Sequence, residues 1–291
     1  NILKNCMQHT PDGGTIYIYG CTADIYDSDF INNESGSTGG VLNVNGYSVI
    51  NDISIWRCTF KNNTAQRDRG GAIVCNSSDM EIYDSIFQSN IVNGSTAQSC
   101  GGGICIMGSM GDEPVKIINT MFYGNSAGGS AYGGAIGIGI ISTPASKIVN
   151  CTFYMNQAST ESGGAVAVGV NSATGATANI YNSLFYGNTD STGDSSVYRD
   201  QGTLNTYNNY WNVIPAGAYT SNGDLAASSI DPFASVTPGD SDFLFLAPGS
   251  ACINAGTNDL TAIGMTLPST DLAGNRRIVG GTVDIGAYEK Q

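Results

Sequence analysis

The chain has 291 residues with few charges, eleven Lys or Arg against 24 Asp or Glu, which gives a net charge of −13. Basic side chains this few and scattered argue against binding to nucleic acid or to an anionic membrane surface. No apolar run approaches the length of a membrane-spanning helix, so we expect no membrane span.

The first residues already belong to a repeat. Leu3 and Cys6 match Ile148 and Cys151 further along the chain, whereas Gln8 stands where later repeats have Phe. We therefore expect a processed or truncated chain that opens part-way through a structural turn. An open end of this kind is an unpaired sheet edge. We expect an upstream domain or a second copy of the chain to cover it.

Two signatures recur through residues 13–188. A Gly-Gly step followed by an aliphatic residue returns every 26 to 32 residues, at Gly13, Gly39, Gly70, Gly101, Gly133 and Gly163. A Phe-x-x-Asn step accompanies it, at Phe30/Asn33, Phe60/Asn63, Phe87/Asn90, Phe122/Asn125, Phe153/Asn156 and Phe185/Asn188. A period of this length is typical of solenoids, propellers and other repeat arrays.

Residues at equivalent positions of successive repeats are of the same type, and this distinguishes among these folds. Five residues before each Phe stands an Ile, at Ile25, Ile55, Ile82, Ile117, Ile148 and Ile180. Two aliphatic columns that follow the Gly pairs are two residues apart, which is the period of one strand face. Stacked parallel strands need side chains of like size one above another, whereas helical repeats space apolar residues at three and four.

We therefore predict an all-β fold, a right-handed parallel β-helix whose handedness follows from that of parallel crossovers. This solenoid has about 7–8 coils and an irregular C-terminal cap. Residues 1–202 form the coils, and residues 203–291 form a last degenerate coil and the cap. The repeats fade after Asn188, and five of the eight prolines lie at Pro215 or beyond.

The Asn that ends each Phe-x-x-Asn step is predicted to stack at a turn and hydrogen-bond along the solenoid. The Gly pairs are predicted to supply turns with positive φ. Most of the eight cysteines are interpreted as small buried apolar residues. Cys58 and Cys151 share a column at too large a separation for a disulfide. Cys100 and Cys105 are the only local pair.

Aromatic residues form two outer files that suit a ligand. Tyr26, Trp56 and Tyr83 stand four residues before Phe on successive coils, and Tyr123, Tyr154 and Tyr186 follow Phe on three later coils. Flat amphipathic rings at a regular rise could stack on sugar rings of a polysaccharide. The alternative is that the rings stack on each other and shield the coil.

The sequence contains no evident catalytic constellation. A lyase needs a cation-binding carboxylate cluster beside a base, and a hydrolase needs paired carboxylates. The acidic and basic loop residues do not recur as facing pairs; they are Asp24, Asp27, Asp29, Arg67, Asp68, Arg69, Asp112 and Glu113. His9 is the only histidine. We predict no catalytic residue and no cofactor; Ca²⁺ is kept as an alternative that no motif indicates. The charged residues Asp271, Arg276, Arg277, Asp284 and Glu289 are interpreted as salt-bridged.

Two resemblances to known families are specific. Gly133-Gly-Ala-Ile136 together with Phe-x-x-Asn resembles the repeat of chlamydial polymorphic outer-membrane proteins and related adhesin-like β-helices. Residues 247–256 and 271–289 resemble the end of the bacterial choice-of-anchor Q β-helix proteins, although Ala251-Cys252 stands where that family commonly has Pro-Ala. The resemblance implies an extracellular or cell-surface protein, often followed by an anchor segment, and it assigns no catalytic residue.

Three functions follow as hypotheses. The first is a secreted or surface-displayed scaffold that acts as an adhesin-like binding module, with a polysaccharide or a host-cell surface as partner. The second is a structural subunit that self-assembles into filaments or a surface layer. The third is a polysaccharide lyase or glycoside hydrolase, which analogy of fold alone favours.

Overall fold

The structure is a computed structural model that describes residues 2–4, 7–8, 14–46, 51–96, 98–108, 114–139, 145–170, 174–215 and 219–291. It is an all-β parallel solenoid of the right-handed type, with one short 3-10 helix at Thr261–Ile263. Among the residues described, no helix is long and apolar enough to cross a membrane.

Four parallel sheets, here numbered in the order in which the chain visits them, run along the solenoid. Sheet I contains Ile16–Ile18, Leu42–Asn45, Ile73–Asn76, Ile104–Ile106, Ile136–Gly139, Val166–Val170 and Val197–Arg199. Sheet II contains Thr22–Tyr26, Asp52–Trp56, Asp79–Tyr83, Lys116–Ile118, Ser146–Val149, Thr177–Tyr181, Thr203–Tyr207 and Thr220–Asn222.

The next two sheets have shorter strands. Sheet III contains Ile2–Lys4, Asp29–Ile31, Thr59–Lys61, Ile86–Gln88, Met121–Tyr123, Thr152–Tyr154, Leu184–Tyr186, Tyr210–Trp211 and Leu225–Ala226. Sheet IV contains Met7–Gln8, Glu34–Ser35, Thr64–Ala65, Ile91–Gly94, Ser126–Gly129, Gln157–Ala158, Thr189–Asp190 and Gly193–Asp194, and its last two strands pair antiparallel.

From Ile16 onward, the strands pair in the register that the sequence columns predict. The predicted match of Leu3 to Ile148 is wrong, because Leu3 pairs with Phe30 of sheet III and Gln8 pairs with Ser35 of sheet IV. Ile82 of sheet II lies beside Ile55 on one side and Ile117 on the other. Six successive turns, between residues 16 and 190, place a strand in every sheet, while the turns at either end occupy two or three sheets among the residues described. Complete coils are therefore fewer than the predicted count of about 7–8.

A file of aromatic rings fills the interior of the solenoid. Adjacent ring centroids lie 4.3 to 4.9 Å apart, which matches the rise between strands, along Phe30, Phe60, Phe87, Phe122, Phe153, Phe185 and Trp211. Burying each Phe contributes about 1.5–3 kcal/mol. The stacked aromatic rings therefore provide much of the stabilisation of the core.

The predicted Asn stack is confirmed at the corner between sheets III and IV. Asn125 shows the pattern: its Nδ2 donates to Asn156 Oδ1 at 2.9 Å and to the Phe87 carbonyl at 2.8 Å. Its Oδ1 accepts hydrogen bonds from the backbone N–H and the side-chain amide of Asn90. Because these amides are buried, each needs all of these partners.

In the five Gly pairs from Gly39 to Gly163, the two glycines have different roles, as Gly70 and Gly71 show. In the first pair Gly13 lies outside the described residues, and Gly14 has a φ of +82°. Gly70 has a φ of +59°, so the prediction of a turn with positive φ is confirmed there. Gly71 lies outside the left-handed region, and that prediction is wrong for it. A Cβ on Gly71 would overlap the carbonyl oxygen of Gly102 on the next coil. The second glycine therefore lets neighbouring coils approach each other.

Residues 227–291, here called the C-terminal segment, pack along the outside of the solenoid. Apolar side chains of the segment bury residues on the outer faces of sheets II and III. Leu260 and Ile263 cover Ile118, Val149 and Tyr181 of sheet II, and Phe233, Leu244, Leu246 and Ile285 cover Met121, Leu184 and Tyr210 of sheet III. Its predicted role as a cap for the last coil stays a prediction.

A column of one residue per coil lies at the corner between sheets II and III, and four of its members hold this segment. These residues, here called the corner column, have φ between 47° and 53° and are Asp27, Arg57, Asp84, Asn119, Asn150, Asn182 and Asn208. Asn and Asp adopt this conformation more readily than most residues. The amides of Asn119, Asn150, Asn182 and Asn208 donate to the carbonyls of Thr270, Asp284, Thr257 and Ala255.

Most of the described cysteines are buried as predicted, whereas Cys21 is exposed. Cys58 and Cys151 are buried and free, as are Cys75 and Cys252. Cys100 and Cys105 form a disulfide whose Cα atoms lie 5.4 Å apart. Cys6 lies outside the described residues.

Candidate ligand-binding cleft

The first predicted aromatic file lies on the outer face of sheet II. Tyr26, Trp56 and Tyr83 are in register on successive strands, and Tyr26 is 45 % exposed. The rings of Trp56 and Tyr83 stack with centroids 3.9 Å apart and planes at 11°. Each of these two rings covers one face of the other, and Tyr83 also packs against the apolar cluster that contains Ile118, so ring edges remain for a ligand. The predicted alternative of rings that stack on each other therefore holds for this pair.

The same file continues beneath the C-terminal segment. After Tyr83 the register passes to Ile118, Val149 and Tyr181, which the segment covers. The ring edges of Trp56 and Tyr83 thus lie where the covered part of sheet II meets the uncovered part.

The second predicted file is occupied by the chain itself. Tyr123, Tyr154 and Tyr186 are in register on sheet III. Phe243 packs edge-on against Tyr123, and Phe233 packs edge-on against Tyr154 and Tyr186. Tyr123 also lines a cleft of about 500 Å³ between sheet III and residues 238–245. Ligand binding by these three tyrosines stays a prediction.

A larger cleft opens between sheet II and the C-terminal segment. Its volume is about 630 Å³, within the range of small-ligand sites. The solenoid wall consists of Trp56, Tyr83, Asp84, Lys116 and Ile118, and the opposite wall consists of Thr261 with residues 264–270. The wall formed by the C-terminal segment contains apolar side chains, from Met265, Leu267 and Pro268, together with the hydroxyl groups of its Thr and Ser residues. The cleft can therefore hold a ligand with both apolar and hydroxylated surfaces.

Two charged side chains line this cleft. Lys116 Nζ forms an ion pair with Glu81 Oε1 at 2.6 Å, and both side chains are partly exposed. Burial raises the pKa of Tyr83, and the negative charge and hydrogen bond of Glu81 add to that increase in pKa. Tyr83 therefore presents a neutral phenol at the cleft at physiological pH.

Asp84 is the other charged group and belongs to the corner column. Its Oδ1 accepts a hydrogen bond from Asn119 Nδ2 at 3.0 Å. Burial raises the pKa of this carboxyl group, while the Asn119 hydrogen bond opposes the increase. The same Asn119 amide donates to the Thr270 carbonyl at 2.7 Å, so Asn119 ties the two walls of the cleft together. Asn119 is only 1 % exposed, which fixes this arrangement.

The other candidate catalytic residues do not come together at the cleft. Asp27 forms an exposed ion pair with Arg57 at 2.6 Å, and Asp68 accepts a hydrogen bond from Thr96. His9, Asp112 and Glu113 lie outside the described residues. Within the part of the chain that the structure describes, no group of three or more His, Cys, Asp or Glu side chains is placed to hold a metal ion.

The charged residues of the C-terminal segment tie its loops together. The side chains of Asp271, Arg277, Asp284 and Glu289 are buried. Both oxygens of each carboxylate accept backbone N–H groups, and Arg277 donates to the carbonyls of Gly286 and Ala287. Burial lowers the pKa of Arg277 to about 10 and raises that of Asp284. Backbone partners therefore take the place of the predicted salt bridges.

Sequence patterns alone missed half of the cleft. Asp84 and Asn119 stand three residues before Phe87 and Phe122, in a column of Asp, Asn and Arg that could have indicated a left-handed corner. Lys116 pairs in register with Glu81, which opposite charges on neighbouring strands could have indicated. No repeat predicts residues 261–270, because the C-terminal segment has no period.

Comparison with known proteins gives one local match. A model of the Chlamydia polymorphic membrane protein repeat matches residues 57–76. Those residues include the core ring Phe60, the stacked Asn63 and the Gly70-Gly71 pair, so the match covers part of one repeat. No curated protein sequence matches the chain.

Proposed function

We propose that this chain is a surface-displayed bacterial binding scaffold that holds a glycan in the cleft between sheet II and the C-terminal segment. The cleft carries the proposal, because the Trp56–Tyr83 pair faces Met265, Leu267 and Pro268 across about 630 Å³. Apolar C–H faces of a sugar pack against such surfaces, while its hydroxyls need polar partners. Thr261, Thr266, Ser269 and Thr270 offer those partners from the opposite wall.

Two observations support display outside the cell. The matched repeat of residues 57–76 is named for a bacterial membrane protein. The Cys100–Cys105 disulfide suits an oxidising compartment, where structural disulfides persist. The resemblance of residues 271–289 to choice-of-anchor Q proteins, and with it any anchoring, stays a prediction.

A glycan array tests the proposal. We expect wild-type protein to bind at least one oligosaccharide class, and Trp56→Ala or Tyr83→Ala to weaken that binding by about tenfold or more. Tyr17→Ala is the matched control, because Tyr17 is 46 % exposed and lies outside the cleft. Undiminished binding by Trp56→Ala, or an equal loss in Tyr17→Ala, would contradict the proposal.

Self-assembly is the second candidate, favoured by a sheet edge. Thr22–Tyr26 is the first strand of sheet II among those described, and it pairs there with Asp52–Trp56. A stable end-to-end dimer would bury more than about 1,000 Å². Light scattering at increasing concentration would detect it, and a constant monomer mass would oppose it.

The lyase or hydrolase alternative also stays a prediction. Asp84 provides the one carboxylate among the described residues that line the cleft. Incubation with oligosaccharides that bind on the array, followed by chromatography of the products, distinguishes binding from cleavage. We expect intact oligosaccharide, and shortened products would favour the enzyme.

A further inference from the structure

We propose that the cleft selects neutral glycans over acidic ones, and that Asp84 makes the selection. This inference rests on the proposed function. Its basis is the balance of charge at the cleft and the hydrogen-bonding state of the Asp84 carboxylate.

The cationic side chain that lines the cleft has its charge balanced already. Lys116 Nζ lies 2.6 Å from Glu81 Oε1. Arg57, which also lies near Asp84, pairs with Asp27 through Nε and Nη2 at 2.6 and 3.0 Å. Arg277 also acts on Asp84, but the carboxylates of Asp271, Asp284 and Glu289 offset its charge. Asp84 therefore contributes the unbalanced charge among the residues that line the cleft. An acidic sugar would bring a second negative charge to it, and like charges in a partly buried site repel.

One oxygen of the Asp84 carboxylate is available to accept a hydrogen bond from a ligand. Asn119 Nδ2 occupies Oδ1, and Oδ2 has no protein partner among the residues described. A carboxylate oxygen is a strong acceptor for a hydroxyl donor. Because Asn119 also holds Thr270, the acceptor and the opposite wall keep a fixed separation. A sugar hydroxyl beside Trp56 can donate a hydrogen bond to the Asp84 carboxylate, whereas an ionised sugar carboxylate has no proton to donate.

The charge of the whole chain acts in the same direction. With a net charge of −13, the protein repels polyanions as they approach, whereas a neutral sugar feels no such long-range force. This long-range repulsion is screened by salt, whereas repulsion inside the cleft is screened much less. Selectivity that persists at high ionic strength therefore arises in the cleft.

Calorimetric titration with paired probes tests the inference. The probes are neutral hexasaccharides chosen from the array and their C6-carboxylated counterparts, titrated at low and high salt. We expect wild-type protein to bind the neutral member about tenfold more tightly or better, as the loss of a charged hydrogen bond implies. Asp84→Asn turns the ligand-facing acceptor into a donor, so the neutral-to-acidic affinity ratio should fall by about tenfold.

Two further variants control the experiment. Asp24→Asn removes the same charge from an exposed position of sheet II outside the cleft, and the ratio at high salt should not change. Asp84→Gly removes the carboxylate at a position with a φ of 48°, which Gly adopts without strain, and should lower the ratio as Asp84→Asn does.

The outcomes separate this inference from the proposed function. If Trp56→Ala abolishes binding but wild-type protein binds both probes equally, or prefers the acidic one, the selection by Asp84 is wrong and the glycan site stands. If Asp84→Asn and wild-type protein have equal neutral-to-acidic affinity ratios, the selection by Asp84 is also wrong and the glycan site again stands. If wild-type protein binds neither member of any pair, both proposals fail.

Discussion

Asn182 and Thr257 are joined by two hydrogen bonds, as two strands would be. Asn182 Oδ1 accepts the Thr257 N–H at 2.8 Å, and Asn182 Nδ2 donates to the Thr257 carbonyl at 2.9 Å. The carbonyl of Asn182 also accepts the Gly286 N–H at 2.8 Å. One corner residue thereby attaches two stretches of the C-terminal segment to the solenoid.

Removing the Asn182 side chain should loosen this attachment. Asn182→Gly keeps the left-handed backbone at a φ of 50° but loses both side-chain bonds. We expect a loss of about 1–3 kcal/mol in the free energy of unfolding, since buried partners are left unpaired. Hydrogen exchange should accelerate at Thr257 and Gly286.

Asn32→Gly is the matched control for this change. Asn32 also has a positive φ, at 55°, and no side-chain hydrogen bond of Asn32 is described. It should leave exchange at Thr257 unchanged. Equal destabilisation by the two variants would mean that the amide of Asn182 does not hold the segment.

The stacked Asn column should be sensitive to a single deletion. Asn125→Ala removes the acceptor of the buried Asn90 backbone N–H and the side-chain donor to the Phe87 carbonyl. We expect a loss of several kcal/mol, since each unsatisfied buried group costs about 1–3 kcal/mol. Chemical denaturation measures it. The exposed Asn93→Ala should change stability far less, and similar losses would contradict the importance of the column.

Close packing of coils at the second glycine predicts a steric effect. Gly71→Ala places a Cβ against the carbonyl of Gly102 and should destabilise the solenoid by more than about 1 kcal/mol. Gly128→Ala is the control, because its Cβ would lie 3.4 Å from the Val92 carbonyl, an ordinary contact. Thermal unfolding compares the two, and equal midpoints would show that the coils are further apart at Gly71.

Alkaline pH should weaken the C-terminal segment through Tyr288. Burial first, and then the charge of Asp271, raise the pKa of Tyr288 to about 12. An unfolded tyrosine has a pKa near 10, so the unfolded chain ionises first. The contribution of Tyr288 to stability is complete below about pH 10 and is lost as pH rises through about 12.

Chemical denaturation at several pH values between about 10 and 12 tests whether stability falls as the pH rises. Wild-type protein should lose stability more steeply than Tyr288→Phe, which has no phenol to ionise. Tyr26→Phe, changed at an exposed ring, controls for the substitution itself. Parallel curves for wild type and Tyr288→Phe would exclude a contribution from this residue.

The sequence predicted what repeats and little of what does not. The Ile82–Ile117 register and the Phe and Asn stacks follow from columns, because stacked strands impose the same size on every coil. The path of residues 227–291 could not be predicted, since its contacts depend on side chains brought together from distant positions. Asn119 and Thr270 are one example, 151 residues apart.

For the candidate site too, the sequence predicted the aligned residues and left their contacts undetermined. The outer file with Tyr26, Trp56 and Tyr83 was found from spacing, but the stacking of Trp56 on Tyr83 depends on ring orientation, which spacing does not define. The covering of Tyr123 by Phe243 depends on the path of the C-terminal segment. A column shows which residues align and leaves open what lies against them.

The most direct test of the central claim uses the two tryptophans of the chain. Trp56 lines the cleft, and Trp211 is fully buried in the core. A saturating neutral oligosaccharide should shift the emission of Trp56 and protect it from acrylamide quenching, with the response kept in Trp211→Phe and lost in Trp56→Phe. Binding that leaves the emission of Trp211→Phe unchanged would place the ligand elsewhere and contradict the account.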